Sequence, residues 1–439
     1  MNKVLPKGWC VIKMNELASH KSGNSKLIKG KLHSTFDDRH YSAFSATGQD
    51  VWHDKYEFEG LALIISAVGA RCGKVFQADG KWSAIANTHI VWPNEHLVDY
   101  HFFWYLINNE NFWDKGGTAQ PFVKVKNTFC REIELPPLPE QKRIAAKLEK
   151  IMPRIDALKE RLDRIPQIIK RFRQSVLIAA VTGKLTEDWR EGKNYQCENT
   201  NLGTLSEYIT SGSRGWAKYY SSSGAIFVRA QNINTDKLEL NEIAYVKLPK
   251  KVEGKRTQIS KDDILITITG ANVTKTAQVT INLEEAYVNQ HVALVKLNNK
   301  NFASYLYLWL ISPIAGRLQL EKFAYGAGKP GLNLQNIKDV VVMLPPLEEQ
   351  KEIVRQVNEL FAFADKLEAH YKKAKEKIDK LPLSVLAKTF RGELVPHDPN
   401  DEPASELLKK IIVEKEKRRA EIKKMQKRNV KATAQKKGK

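Results

Sequence analysis

The sequence predicts an α+β fold: two globular domains built on twisted β-sheets, separated by two long antiparallel coiled-coil helices in a pseudo-two-fold tandem repeat. Three observations lead there. A box, LPPLPEQKRI at Leu135 to Ile144, returns as LPPLEEQKEI at Leu344 to Ile353, 209 residues later. Each box opens a stretch with apolar residues in alternating steps of four and three. Each stretch follows a segment of mixed β-rich and helical character, so the order is domain, helix, domain, helix.

The repeat continues in one ungapped alignment: Asp156 with Asp365, Leu158 with Leu367, Ser175-Val176-Leu177 with Ser384-Val385-Leu386, and Gly183 with Gly392. In the first helix the expected seam is Ile144, Leu148, Ile151, Ile155, Leu158 and Leu162, continuing through Ile165, Ile169, Phe172 and Val176. In the second it is Ile353, Val357, Leu360, Leu367, Ile378 and Leu381, with Ala364, Tyr371, Ala374 and Val385 completing the pattern. A sustained 4-3 spacing is the seam of a coiled coil, in which side chains of one helix fill holes in another. Pro-Pro imposes an extended approach to each helix, and Gly183 and Gly392 suit left-handed caps after them. Roughly 43 residues at ~1.5 Å each make helices of about 60 Å. Pro153, Pro166 and Pro382 fall inside and are expected to bend or interrupt them. Glu140, Gln141, Glu349 and Gln350 suit capping of the helix starts.

The segments ahead of the helices, 1–134 and 199–343, are weakly alike. Asn87-Thr88-His89-Ile90-Val91 parallels Asn289-Gln290-His291-Val292-Ala293, and Gln120-Pro121 parallels Lys329-Pro330. Each has a β-rich run ending in glycine, Leu61 to Gly69 and Ile264 to Gly270, and a short helical patch, Tyr100 to Ile107 and Tyr305 to Leu310. The expected divisions are therefore 1–134, 135–190, 199–343, 344–396 and a basic tail, 397–439.

Formal net charge is +21, of which residues 409–439 contribute +11, leaving +10 on the rest. A basic surplus of this size points to a polyanionic partner. Cys10, Cys72, Cys130 and Cys197 lie about sixty residues apart and read as buried, reduced thiols; ten histidines show no H-x-x-x-H spacing. Neither pattern supports a metal site. The N-terminus lacks a signal-peptide core and no apolar run approaches the ~20 residues of a membrane span, so the expected location is the cytoplasm, with no membrane partner.

The paired boxes, the helix ends QSVLIAAVTGKL and LSVLAKTFRGEL, and the two flanking domains resemble the specificity (S) subunit of type I restriction-modification enzymes. The resemblance extends to about Pro396, and Arg164 through Arg190 is similar to the central region of the subclass typified by the enteric-bacterial enzymes. It implies that residues 1–134 and 199–343 are target-recognition domains, each reading half of a split double-stranded DNA sequence. It implies further that the helices set the separation and dock two methyltransferase (M) subunits, which carry S-adenosylmethionine and methylate adenine N6. Two restriction (R) subunits dependent on ATP and Mg would complete the nuclease. Cofactors and catalysis are then expected in the partners, none in this chain.

The residues agree with that expectation. Adenine methyltransferases hold the flipped base with Asn/Asp-Pro-Pro-aromatic, whereas both Pro-Pro pairs here follow leucine. Gly326 to Gly331 superficially resembles a phosphate loop, but Pro330 stands where Ser or Thr follows the lysine. The same glycine-rich loop suits close approach to DNA, with Lys329 on phosphate or a guanine edge, or else a plain surface turn. Lys124 and Lys126 occupy the parallel place in the first domain. Other loop candidates for DNA contact are Arg39, Arg71 and Lys74 in the first domain, and Arg214, Lys218, Arg229, Gln231, Asn232, Arg256 and Lys275 in the second. Arginine pairs bidentately with guanine, and glutamine or asparagine with adenine, although many such side chains only meet solvent or phosphate. Two other functions fit the same plan: a stand-alone DNA-binding regulator, and a scaffold whose basic charge is incidental.

Overall fold

The computed structural model describes residues 5–193, 196–249, 254–326 and 330–413. The chain divides into two compact units, 1–160 with 375–439, and 161–374. Each unit therefore joins one globular domain to part of both long helices.

In the first unit, Cys10–Lys13 pairs with Glu132–Leu135 and ties the two ends of the domain together. Between them lies an antiparallel sheet in the order Ala18–Ser22, Thr88–Pro93, Ala62–Ser66, Val75–Ala78. A second sheet runs Gly48–His53, Tyr41–Ser45, Lys81–Ala84, Phe58–Glu59, with its central pair parallel. The run ALIIS is buried at every position because a strand turns alternate side chains to opposite faces and both are covered. Leu63 and Ile65 join the core shared with the helix Tyr100–Ile107; Ala62 and Ile64 join the core under the second sheet with Trp82. Asp99 caps that helix, its carboxylate accepting from the Phe102 amide at 2.9 Å.

The second unit repeats this plan. Glu198–Asn201 pairs with Val341–Leu344, and the main sheet runs Ser206–Ser211, Val292–Leu297, Ile264–Thr267, Thr276–Gln278. Ile264 and Ile266 face the core shared with the helix Ala303–Ile311, and Leu265 faces the other. The second sheet again contains a parallel pair, Ala225–Val228 with Ala286–Val288. The domains differ at its margin. In the first, Phe58–Glu59 is added beside Lys81–Ala84; in the second, Tyr220–Ser221 is added beside Ala244–Val246.

The long helices are Leu138–Val181, 44 residues, and Leu347–Thr389, 43 residues. At ~1.5 Å per residue the first is about 66 Å long. Pro153, Pro166 and Pro382 do not interrupt them. A proline removes one backbone donor, and the hydrogen bonds on either side carry the helix across. Gly183 and Gly392 follow the helices, both at φ 74°, the left-handed conformation expected of them.

The apolar stripe is used differently from a uniform seam. Ile144 and Leu148 lie in the first domain's core with Trp9 and Phe102, and Val385, Leu386 and Phe390 pack against that core. In the second unit, Ile353 and Val357 lie in the domain core together with Val176 and Leu177. The start of one helix and the end of the other thus pack antiparallel against each domain. Phe172 meets Phe363, and Arg173 bonds Asp365 at 2.6 Å and Glu368 at 3.3 Å. Ile155 is buried, whereas Ile151, Leu162, Leu360 and Ile378 are half-buried. Leu158, Leu367 and Leu381 correct the expectation of a closed seam: they are 45%, 39% and 37% exposed. Two helices alone cover only a narrow stripe, and outlying positions stay open once the domain no longer covers them.

The box residues, expected as helix caps, brace each unit. The Gln141 amide nitrogen donates to the Leu97 and Pro136 carbonyls at 3.1 and 2.9 Å, and its oxygen accepts from the Asp99 amide at 2.8 Å. Gln350 donates to the Pro345 carbonyl at 2.7 Å. Glu140 and Glu349 are buried and clamp the segments that follow the opposite helix's glycine. Glu140 accepts from Trp9 Nε1 at 3.2 Å and faces His397 Nδ1 at 3.1 Å; Glu349 accepts from Thr186 at 2.7 Å and lies 3.3 Å from Arg190.

One further expectation changes. Cys72 is buried, but Cys130 and Cys197 are exposed, and all four cysteines are free thiols. The tail is folded as far as residue 413: Arg143 makes a two-pronged pair with Asp401 at 2.6 and 3.2 Å, and Leu407, Leu408 and Ile411 pack on the first core. Most of the tail's charge lies beyond, outside the described residues. Among the described residues no helix is long and apolar enough to cross a membrane.

Replacing Gln141 by Ala removes all three of its hydrogen bonds and strands buried backbone groups. We expect a loss of roughly 2–4 kcal/mol of stability by chemical denaturation. An unchanged unfolding midpoint contradicts the bracing role.

Candidate nucleic-acid interface

The same three backbone segments meet in each domain. After strand Ala62–Ser66 the chain turns through Gly69-Ala70-Arg71-Cys72-Gly73-Lys74, and after Ile264–Thr267 through Gly270-Ala271-Asn272-Val273-Thr274-Lys275. Gly69 and Gly270 both take φ near 90°, which glycine adopts without strain. Their amides donate to the carbonyls of Pro121 and Pro330, at 2.9 and 3.3 Å. The next segment is tied in at both sites, two residues apart in register: Ala67 N donates to Asn87 O at 3.0 Å, and Ile268 N to His291 O at 2.9 Å. The glycine loop, the segment carrying the Asn-x-His string and the proline loop are therefore hydrogen-bonded into one cluster in each domain.

Within this shared frame the side chains differ. Arg71 stands where the second domain has Asn272, and Gly73 where it has Thr274. Arg71 is exposed, donates to the Thr47 carbonyl at 3.1 Å and lies over the Phe76 ring at 5.6 Å. Asn272, which the paired strings GARCGK and GANVTK bring out, is half-buried and donates to the Ala230 carbonyl at 3.5 Å and to the Asn234 side-chain oxygen. Thr274 holds φ 74°, a strained value for a β-branched residue, to keep the turn that Gly73 makes freely.

The first domain gathers basic groups at this cluster. Lys124 and Lys126 are exposed on the turn and short helix Val125–Phe129 after the proline loop, and Lys74 is half-buried. Burial, and then the Lys126 ammonium, lower the His20 imidazole's pKa. Burial and His20 do the same to His89, which also contacts Ser22 at 3.3 Å. Arg39 lies elsewhere, fully exposed and doubly bonded to Asp37 at 2.8 and 3.0 Å; that pairing holds the Asp37 carboxyl down to about 2.

In the second domain Arg214, Lys218, Gln231 and Arg256 are exposed, with Lys218 Nζ 5.1 Å from the Tyr219 ring centre. Three others are committed to the fold. The Asn232 side chain is buried, donating to the Glu239 and Glu242 carbonyls at 2.9 and 3.2 Å and accepting from the Arg229 amide at 3.0 Å. Arg229 itself donates to the Glu242 carbonyl at 3.2 Å. Lys275 pairs with Asp236 at 3.1 Å, a carboxylate that also binds Arg317 and the Thr276 amide. These side chains are engaged in bracing loops, a role that residue type alone does not reveal. Lys329 lies outside the described residues.

Comparison with known proteins agrees with the doubled architecture. Residues 6–167 and 207–376 each match the family described as type I restriction modification DNA specificity domain. The chain is 33% identical over 330 residues to the EcoBI specificity subunit of Escherichia coli, spanning 67% of each chain. It is 27% identical over 448 residues to the Escherichia coli EcoDI specificity subunit, spanning 94% of this chain and 96% of that one. The fold is shared with a chain solved in work on complex assembly and conformational transition of the type I restriction-modification system. The TM-score is 0.61 at 16% identity, covering 89% of this chain and all of that one. Carrying two copies of the domain, the chain belongs to the type I restriction-modification DNA specificity family, as a specificity subunit.

Proposed function

We propose that this chain reads a bipartite, asymmetric double-stranded DNA target, one half per domain. Its partners would be two M subunits, which methylate adenine N6, and two R subunits, which restrict DNA with ATP. One observation carries the reading: the same hydrogen-bonded loop cluster is built twice with different side chains on it, as two readers of unlike half-sites require. The exposed candidates Arg71, Lys124, Lys126, Arg214, Lys218, Gln231 and Arg256 supply base and phosphate contacts, and Lys74 and Lys329 are further candidates. Arg39, Arg229, Asn232 and Lys275 act mainly by holding loops in shape.

The specificity-subunit family supports a non-catalytic role. S-adenosylmethionine, ATP and Mg belong to the partners, and the complex works in the cytoplasm. Residues 135–190 and 344–396 serve as spacers and M-subunit docking surfaces. Residues 397–413 brace the first unit, and the basic charge of the tail is carried by residues 414–439.

Two outcomes test this reading. Lys124→Ala with Lys126→Ala weakens DNA binding across all sequences and lowers the log-log salt slope by up to about 2, near 0.9 for each phosphate no longer neutralised; Arg39→Ala, a cation already paired, has a smaller effect. Unchanged affinity and slope in the double variant remove these lysines from the interface. Inserting four residues after both Glu160 and Ala374 adds about 6 Å of helix and changes the number of base pairs between half-sites, or abolishes assembly. Identical spacing in the methylated target contradicts the spacer role.

A further inference from the structure

Histidine is unevenly distributed: seven of the ten precede residue 135, whereas residues 199–343 contain only His291. Two of the seven meet an aspartate that is distant in sequence. His33 bridges Trp52 in both directions, amide to carbonyl, at 3.0 and 2.9 Å. His40 directly precedes strand Tyr41–Ser45, whose Tyr41 pairs with His53. Asp54 follows His53. Backbone pairing thus sets all three positions before any side-chain contact is made.

The side chains then converge. The two imidazoles stack nearly parallel, centroids 3.9 Å apart and planes 8° apart. Each directs Nε2 at the same Asp54 oxygen, at 2.9 and 3.3 Å. All three candidate ligand atoms lie within 4.8 Å of one another. Tetrahedral zinc, with bonds of ~2.0–2.1 Å, holds its ligand atoms about 3.3 Å apart; the two nitrogen-to-oxygen separations already match that, and because a metal lies in the plane of each imidazole it binds, one of the stacked rings turns about its side-chain torsions to meet the ion. The neighbouring cation, Arg39, is drawn to Asp37 rather than to this cluster. His40 is 16% exposed and Asp54 69%, so one side faces water and leaves room for a solvent ligand.

We propose that His33, His40 and Asp54 bind a single divalent transition-metal ion of the zinc class. Two imidazole nitrogens with one carboxylate select zinc, cobalt or nickel over calcium or magnesium, which take oxygen ligands. The ion ties the 33–40 loop to the end of the neighbouring hairpin in the first domain. The site has no counterpart in the second domain, which lacks the histidines. It does not depend on the DNA-reading role.

The test uses the untagged full chain, stripped with EDTA and titrated calorimetrically with Zn2+ alone, with Co2+ titrated in parallel and followed by visible absorption. One ion per chain is expected, with cobalt bands of a low-coordinate site. His33→Ala and His40→Ala lower affinity by more than the 10–100-fold associated with supporting groups. Asp54→Asn, which keeps the shape and can still hydrogen-bond the rings, also weakens binding while leaving the circular dichroism unchanged. His96→Ala, at an exposed histidine elsewhere in the domain, has no effect. Absence of binding at micromolar Zn2+, or binding that persists in the doubly substituted His33 and His40 chain, overturns the assignment; the latter places the ion elsewhere, such as at the exposed Cys130 or Cys197.

Discussion

Glu140 and Glu349 are carboxylates with almost no access to water, each at the start of a long helix and each gripping the segment that follows the other helix. A buried carboxylate survives only if hydrogen-bonded or paired with a cation, so Trp9 and His397 for one, and Thr186 with the Arg190 cation for the other, are required partners. Gln141 adds a second brace by binding the backbone at the foot of its domain. Within each unit, a helix start, a helix end and a sheet are thereby held as one body. The loop cluster is attached to that sheet, so its position follows from the clamp.

Much of this was legible in the sequence. The 209-residue repeat revealed the box, and the 4-3 stripe revealed the helices. The β-rich runs ending in glycine, Leu61 to Gly69 and Ile264 to Gly270, revealed the central strands. What the stripe did not reveal is which partner covers it. Ile144 and Leu148 have the same spacing as Leu158, yet the first two enter a domain core and the third meets water. Periodicity records a face of a helix, not what lies against it.

The candidate site was less legible, because a side chain's availability depends on partners distant in sequence. Lys275 and Lys74 occupy equivalent loop positions, but Lys275 pairs with Asp236, 39 residues earlier. Asn232 has the right chemistry for adenine and is buried under two backbone carbonyls. His33, His40 and Asp54 match no metal-binding motif, since a strand pairing, not a helical turn, brings them together. Conversely, Asn272 emerges only when the two glycine loops are compared.

A common frame carrying unlike loops is the observation on which the proposed reading of two different half-sites rests. The most direct measurement is methylation mapping of DNA from cells expressing the chain with its methyltransferase partner, repeated after residues 1–134 are exchanged for the matching domain of a relative. The account predicts a split motif with a methylated adenine in each half, of which the exchange alters one half and preserves the other. A target changed in both halves, or no split motif from a stable complex, contradicts it.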